Sequence, residues 1–375
     1  MTQKTTSTIV ALLVTATSLI SSTVMAEDAA AIKKAAPKVQ IAILLDNSGS
    51  MSGLINQARS ELWKIVNEFA TAKQDGVAPE LQVAIYHYGN PPATNLVPLT
   101  DDLDKVSEAL FGIPVNGGSE FCGQAIDMAT KDLAWSDNDR DLKLIFIAGN
   151  ERFTQGPVDY REACKSAIEK GVIVNTIHCG SGIPNGWKDG AMMADGTSIN
   201  IDHNQAVVSI PAPQDKEIIE LGAKLNKTYV AFGASGKAQS DRQQEQDDNS
   251  AGAGISSAQQ RAVTKANGLY KNSSWDLCDA CANETVDLEK IDASQLPENM
   301  RKMSVEERKA YIEKMQSDRK EIQKKINDLN SERTKYVSEK RNELAAKDGK
   351  KTLDAALIES IHQQATKKNF SFGKK

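Results

Sequence analysis

The chain has 375 residues, a net charge of -5, 5% aromatic residues and five cysteines. That length and composition leave room for one large domain plus an appendage, and the mild acidity excludes a nucleic-acid binder that works through a strongly basic surface. An odd cysteine count leaves one thiol unpaired if the others pair.

Residues 1–26 read as a secretory signal peptide. Lys4 supplies a positive start, the run from Ile9 to Ile20 is apolar, and Val24 and Ala26 offer small residues at the cleavage positions. The run is shorter than the roughly 20 residues a bilayer span needs, so the reading is export to the periplasm or cell envelope rather than anchoring. No later segment is long and apolar enough to span a membrane. Residues 27–38 form an Ala/Lys-rich linker.

The main domain is expected over residues 39–233. Val39 to Leu45 is an almost continuous apolar run, as in a strand buried on both faces. Leu54, Ala58, Leu62, Ile65 and Phe69 then recur at helical spacing. Strand Leu81 to Tyr88 follows, then a helix from Leu103 to Phe111, a Gly117-Gly118 loop, and a helix from Gly123 to Leu133. Strand Leu142 to Ala148, helix Tyr160 to Lys170 and strand Val172 to His178 continue the alternation, which predicts an α/β fold with a doubly wound, mostly parallel sheet. A short hairpin is expected around Ser198 to Ile210, then helix Asp215 to Leu225 and a closing strand, Thr228 to Phe232.

Residues 234–257 are almost devoid of apolar side chains and are expected to be a flexible linker or loop. Residues 258–297 hold a helix, Ala258 to Leu269, and the Cys278-Asp279-Ala280-Cys281 turn. Residues 298–375 are a C-terminal α-helical extension. Ser304 to Glu307 forms a capping box, and Met315, Ile322, Leu329 and Tyr336 recur every seven residues beside Ile326. Asp318 and Lys325 at flanking positions make this helix docked or weakly coiled, rather than a strong coiled-coil zipper. A last short helix, Leu353 to Ala365, carries Leu357 and Ile361 on one face.

The decisive segment is Asp46-Asn47-Ser48-Gly49-Ser50, where the first buried strand gives way to a helix. Open α/β sheets bind ligands at this carboxyl edge. An Asp/Ser turn that caps the next helix would account for the segment taken alone, but its setting resembles the metal-ion-dependent adhesion site (MIDAS) of von Willebrand factor type A (VWA) domains, a Rossmann-like fold. The resemblance spans about Val39 to Phe232. It implies Ser48 and Ser50 as direct ligands of Mg²⁺ (or Mn²⁺ or Ca²⁺) and Asp46 as a direct or water-mediated one, in keeping with the oxygen preference of hard cations.

The family's second loop is commonly Gly-Gly-Thr; here it is Gly117-Gly118-Ser119-Glu120. The threonine's place falls to Ser119 if the glycines set the register, or to Glu120 if the following helix does, with Ser119 slightly favoured. The third loop normally carries Asp, whereas this chain has Asn150, which brings no charge unless Glu151 turns inward. The resemblance implies a non-catalytic module that binds another protein through an acidic side chain completing the metal's coordination.

Cys122 and Cys179 both fall at the carboxyl edge, so they are either a disulfide bracing the rim or two buried thiols. Cys164 belongs to a helix core. Cys278 and Cys281 suit a local disulfide better than a redox or zinc site, since two further zinc ligands are missing nearby. No Gly-x-Ser-x-Gly or His-Glu-x-x-His pattern occurs, so no enzyme is expected. Two other readings remain: a scaffold with a degenerate metal site that binds through its helical tail, and a thiol- or metal-handling protein using Cys278 and Cys281.

Overall fold

Strand β1 (Lys38–Leu45) runs through the middle of a six-stranded sheet with the order β4-β3-β1-β5-β6-β7. Its neighbours β3 (Glu80–His87) and β5 (Leu142–Gly149) pair with it in parallel, and β6 (Val172–Cys179) and β7 (Ser198–Ile201) extend the parallel set. Only the edge strand β4 (Thr94–Thr100) runs antiparallel. This computed structural model describes residues 35–51, 63–201, 210–348 and 353–373. The expected signal peptide, most of the first linker, the start of the first helix and most of the expected hairpin lie outside them.

The alternation along β1 shows why its sequence is apolar throughout. Val39, Ile41, Ile43 and Leu45 enter one core, and Ala42 and Leu44 enter the other. The first core is covered by α1 (helical residues 63–69) and α2 (Leu103–Phe111). The second is covered by α3 (Cys122–Asp132), α4 (Tyr160–Glu169) and α5 (Asn185–Met193). The mostly parallel sheet with helices on both faces is the fold expected from the alternating pattern.

Several local expectations change. Residues 228–232 add no strand to the sheet. Their backbone instead meets residues 275–277, with Phe232 N–H donating to Trp275 O at 2.9 Å and Leu277 N–H to Val230 O at 2.8 Å. The sixth place in the sheet goes to β7, beside β6. Residues 236–252, expected to be a flexible linker, form helix α7 (Gly236–Gly252). Its buried stripe is polar and so invisible to a hydrophobic period: Gln246 accepts from Ser107 at 2.8 Å, Gln243 donates to Tyr270 at 2.9 Å, and Ser250 accepts from Trp63 Nε1 at 3.1 Å.

Helix α6 (Asp215–Asn226) packs on α8 (Ile255–Lys265) and on the long α10 (Val305–Asp348) through Ile218, Leu225, Val263 and Ile326. The short α9 (Leu277–Ala282) packs on α10 near Ile312. The seven-residue stripe of α10 is therefore docked on its own chain, and its period includes two buried arginines, Arg319 and Arg333. Arg319 reaches Asp276 at 2.8 Å, Asp279 at 2.7 Å and Thr228 O at 2.7 Å, while Arg333 pairs with Asp215.

The last helix, α11 (Leu353–Lys367), returns to the first core with Leu357, Ile361 and Ala365. Gln364 Nε2 donates to the fully buried Asn175 of β6 at 2.7 Å. A final strand, β8 (Phe370–Phe372), pairs with β2 (Ala72–Gln74). Residues 353–373 are thus part of the sheet's own covering layer, and the described residues from Ala36 onward form one compact unit.

Candidate metal centre at the carboxyl rim of the sheet

Three connections meet above the end of β1. Asp46 N–H still donates to Ala148 O at 3.0 Å, which keeps the start of the first loop in register with β5. The loop then turns back on itself as Ser48 N–H donates to Asp46 Oδ1 at 2.7 Å. This bond aims the two serines at one spot: their hydroxyls lie 3.0 Å apart, and Ser50 Oγ donates to Asn150 Oδ1 at 3.3 Å.

The second loop is held by backbone. Ser48 and Gly117 form a parallel bridge, Asn47 O accepts from Asn116 N–H at 3.0 Å, and Gly89 O accepts from Gly118 N–H at 2.7 Å and Ser119 N–H at 2.9 Å. The glycines at 89 and 117 are required by contact, since a Cβ on Gly117 would stand 2.6 Å from Gly89 Cα. Asn47, fully buried, joins the loops with its side chain: Oδ1 accepts from Gly89 N–H at 2.7 Å and Nδ2 donates to Pro114 O at 2.8 Å. Asn47 and Gly89 went unnoticed in the sequence. The available signal was that Gly89 follows the strand flanking β1, at the same edge.

Asp46, Ser48, Ser50 and Asn150 are thereby brought together with Glu120 beside them, and Ser119 N–H is bonded to Gly89 O. Of the two candidates in the second loop, Glu120 is 6% exposed, and its carboxyl lies beside the Ser48 hydroxyl and the Asp46 charge. The helix that follows is held at its first turn by Cys122, whose thiol meets the Tyr88 hydroxyl beneath the rim. Glu151 does not turn inward. It is exposed, and its carboxylate accepts from Gln155 Nε2 at 3.3 Å.

Burial pushes the Asp46 carboxyl up, against the hydrogen bonds from Ser48 that pull it down. Burial also raises Glu120, and repulsion from Asp46 adds to it. Among the described residues neither forms an ion pair, and Asp46 Oδ2 is buried with no hydrogen-bond partner. An uncompensated buried carboxylate oxygen is costly, and a hard divalent cation, which takes carboxylate, hydroxyl and amide oxygens, would satisfy it. The residues fit such an ion. Among the described residues no group of three or more His, Cys, Asp or Glu gathers around a point, so the hydroxyl and amide oxygens are needed as donors.

The disulfides expected for Cys122 with Cys179 and for Cys278 with Cys281 are corrected, and the alternative of two buried thiols at Cys122 and Cys179 stands. All five thiols are free. Cys122 sits in the core on one face of the sheet and Cys179 in the core on the other, so the sheet separates them. Cys278 is buried and donates to Thr228 O at 3.7 Å, with Cys281 half-buried against the same cluster. Burial pushes the Cys278 thiol up to about 12 and raises Cys281 as well, which lowers the thiolate fraction of both at neutral pH. No helix among the described residues is long and apolar enough to cross a membrane.

No curated protein sequence matches the chain. Similar solved structures include BatB from Bacteroides thetaiotaomicron, with 19% identity over 44% of this chain and 90% of that one and a TM-score of 0.35. The SpRpn10 VWA domain has 17% identity over 44% of this chain and 88% of that one, with a TM-score of 0.36. Proximal thread matrix protein 1 from the mussel byssus, with a zinc-occupied MIDAS motif, has 17% identity over 45% of this chain and 43% of that one, with a TM-score of 0.38. The family model for the von Willebrand factor type A domain matches residues 40–202, the span that contains the sheet and its converging rim loops, and this part of the chain is a von Willebrand factor type A domain.

Proposed function

We propose that the protein is a metal-dependent, non-catalytic protein-binding module. VWA domains commonly mediate protein–protein interaction, and the single observation that carries the metal reading is the buried Asp46 Oδ2 left without a partner beside Ser48, Ser50 and Asn150. Mg²⁺, Mn²⁺ or Ca²⁺ would supply the missing positive charge and keep a coordination position for an acidic side chain of the partner. Asp46, Ser48 and Ser50 hold the ion, and Asn150 orients Ser50. The signal-like start at residues 1–26 supports a reading of this activity in the periplasm or cell envelope.

A scaffold with a degenerate site is the second reading, and the uncharged Asn150 favours it. The tail is a poor candidate for a separate binding arm in that reading, because α10 and α11 spend their apolar faces within the chain. Calorimetric titration of Mg²⁺ and Mn²⁺ into the wild type and Asp46→Ala separates the two. Saturable binding to the wild type that is lost in the variant is expected; equal heats from both would leave only the scaffold.

A further inference from the structure

The chain departs from the family pattern at two places, and both departures border the loop from Asp46 to Ser50: Asn150 accepts from Ser50, and Glu120 lies beside Ser48 and Asp46. The third loop has lost a negative charge, with Asn150 in place of an aspartate. The second loop has gained one, with Glu120 in the region where a threonine is expected. Glu120 is buried although it has no cationic partner among the described residues, and its carboxyl lies beside Ser48 and Asp46. Glu151, the other nearby carboxylate, is exposed and engaged by Gln155. Two neighbouring buried carboxylates, one with an unpartnered oxygen, are an arrangement that a chain sustains when something positive sits between them.

We propose that Glu120 is the second charged ligand of the cation site, so that the negative charge missing at Asn150 has moved from the third loop to the second. The inference rests on the metal reading above and deepens it. The site then offers carboxylates from Asp46 and Glu120, hydroxyls from Ser48 and Ser50, and the amide of Asn150. This oxygen-only set suits a hard divalent cation such as Mg²⁺ or Mn²⁺. Asn150 becomes a compensated substitution and not a sign of decay. Ser119 is left with a backbone role, its N–H fixed on Gly89 O.

The test is Mn²⁺ titration of the full chain by calorimetry in five forms: wild type, Glu120→Gln, Ser119→Ala, Asn150→Asp, and Glu120→Gln combined with Asn150→Asp. Glu120→Gln keeps the shape and removes the charge, and should weaken binding by roughly 10–100-fold, the range typical when a group tuning a metal site is lost. Ser119→Ala should stay within about twofold of the wild type, a difference small beside the tenfold change that 1.4 kcal/mol produces. The double variant should recover most of the lost affinity, because it returns the charge to the third loop. Metal-free melting curves accompany each titration, and Glu120→Gln should melt no lower than the wild type. Wild-type binding with an unchanged Glu120→Gln, or a Ser119→Ala loss as large as that of Glu120→Gln, would overturn the assignment of Glu120 alone. A wild type that binds no Mn²⁺ would overturn the metal reading together with it.

Discussion

The carboxyl rim of the sheet and the C-terminal helical region both bury charge, and they treat it in opposite ways. In the helical region every described buried cation meets an anion. Arg319 is shared by Asp276 and Asp279, Arg333 is paired with Asp215, and Arg261 and Lys265 converge on Asp247, with Arg261 also on Asp104. At the rim, Asp46 and Glu120 are buried beside one another with no ion pair among the described residues. A buried charge compensated from within the chain fixes how helices pack. One left uncompensated marks a place for something from outside.

The comparison breaks most visibly if the end of the chain is removed. Deleting residues 353–375 strips Leu357, Ile361, Ala365 and Phe370 from the core that also contains β1, and the shortened protein should lose its cooperative unfolding transition in a thermal melt followed by circular dichroism. An unchanged melt would mean that the tail is an accessory and not a covering layer. Arg319→Ala should cost about 3–5 kcal/mol in urea unfolding, since it abandons the fully buried Asp276. Lys324→Ala, which breaks only the exposed pair with Asp328 on the same helix, should cost under about 0.5 kcal/mol. Similar losses from the two substitutions would erase the distinction between compensated burial and surface decoration.

A smaller and broader effect comes from the thiols. Burial holds Cys164 and Cys278 at about 12, and raises Cys122 and Cys179 further still. An unfolded thiol ionises near about 8.5, so above that pH the unfolded chain releases protons that the folded chain keeps. The stabilisation is therefore complete below about pH 8.5 and is lost as pH rises from there toward the folded values. Urea midpoints measured from pH 7 to 10 should fall progressively above about 8.5, and less steeply after Cys164→Ser or Cys278→Ser.

The four strands β3, β1, β5 and β6 were legible in the sequence because they are largely apolar on both faces, and the loop from Asp46 to Ser50 was legible because it ends one of them, whereas the exposed edge strand β4 was not. Helix α7 was not, since its buried stripe is Gln243, Gln246 and Ser250, whose bonding partners lie far along the chain. Residues 228–232 have strand-like composition, but their neighbours in space are Trp275 and Leu277, a tertiary choice that local preference does not contain. The choice of Glu120 over Ser119 depends on which end of the second loop is anchored. The sequence leaves both ends open, and the contact of Cys122 with Tyr88 beneath the rim joins residues far apart in the chain.

The central claim is that oxygens from three connections share one cation, and paramagnetic Mn²⁺ tests it at the level of single residues. Trace Mn²⁺ added to isotope-labelled protein should broaden the amide resonances of Asp46 to Ser50, Gly117 to Glu120 and Asn150 together, and leave the acidic residues of α10 sharp. Broadening spread over the exposed carboxylates of α10, with the rim amides unaffected, would contradict it.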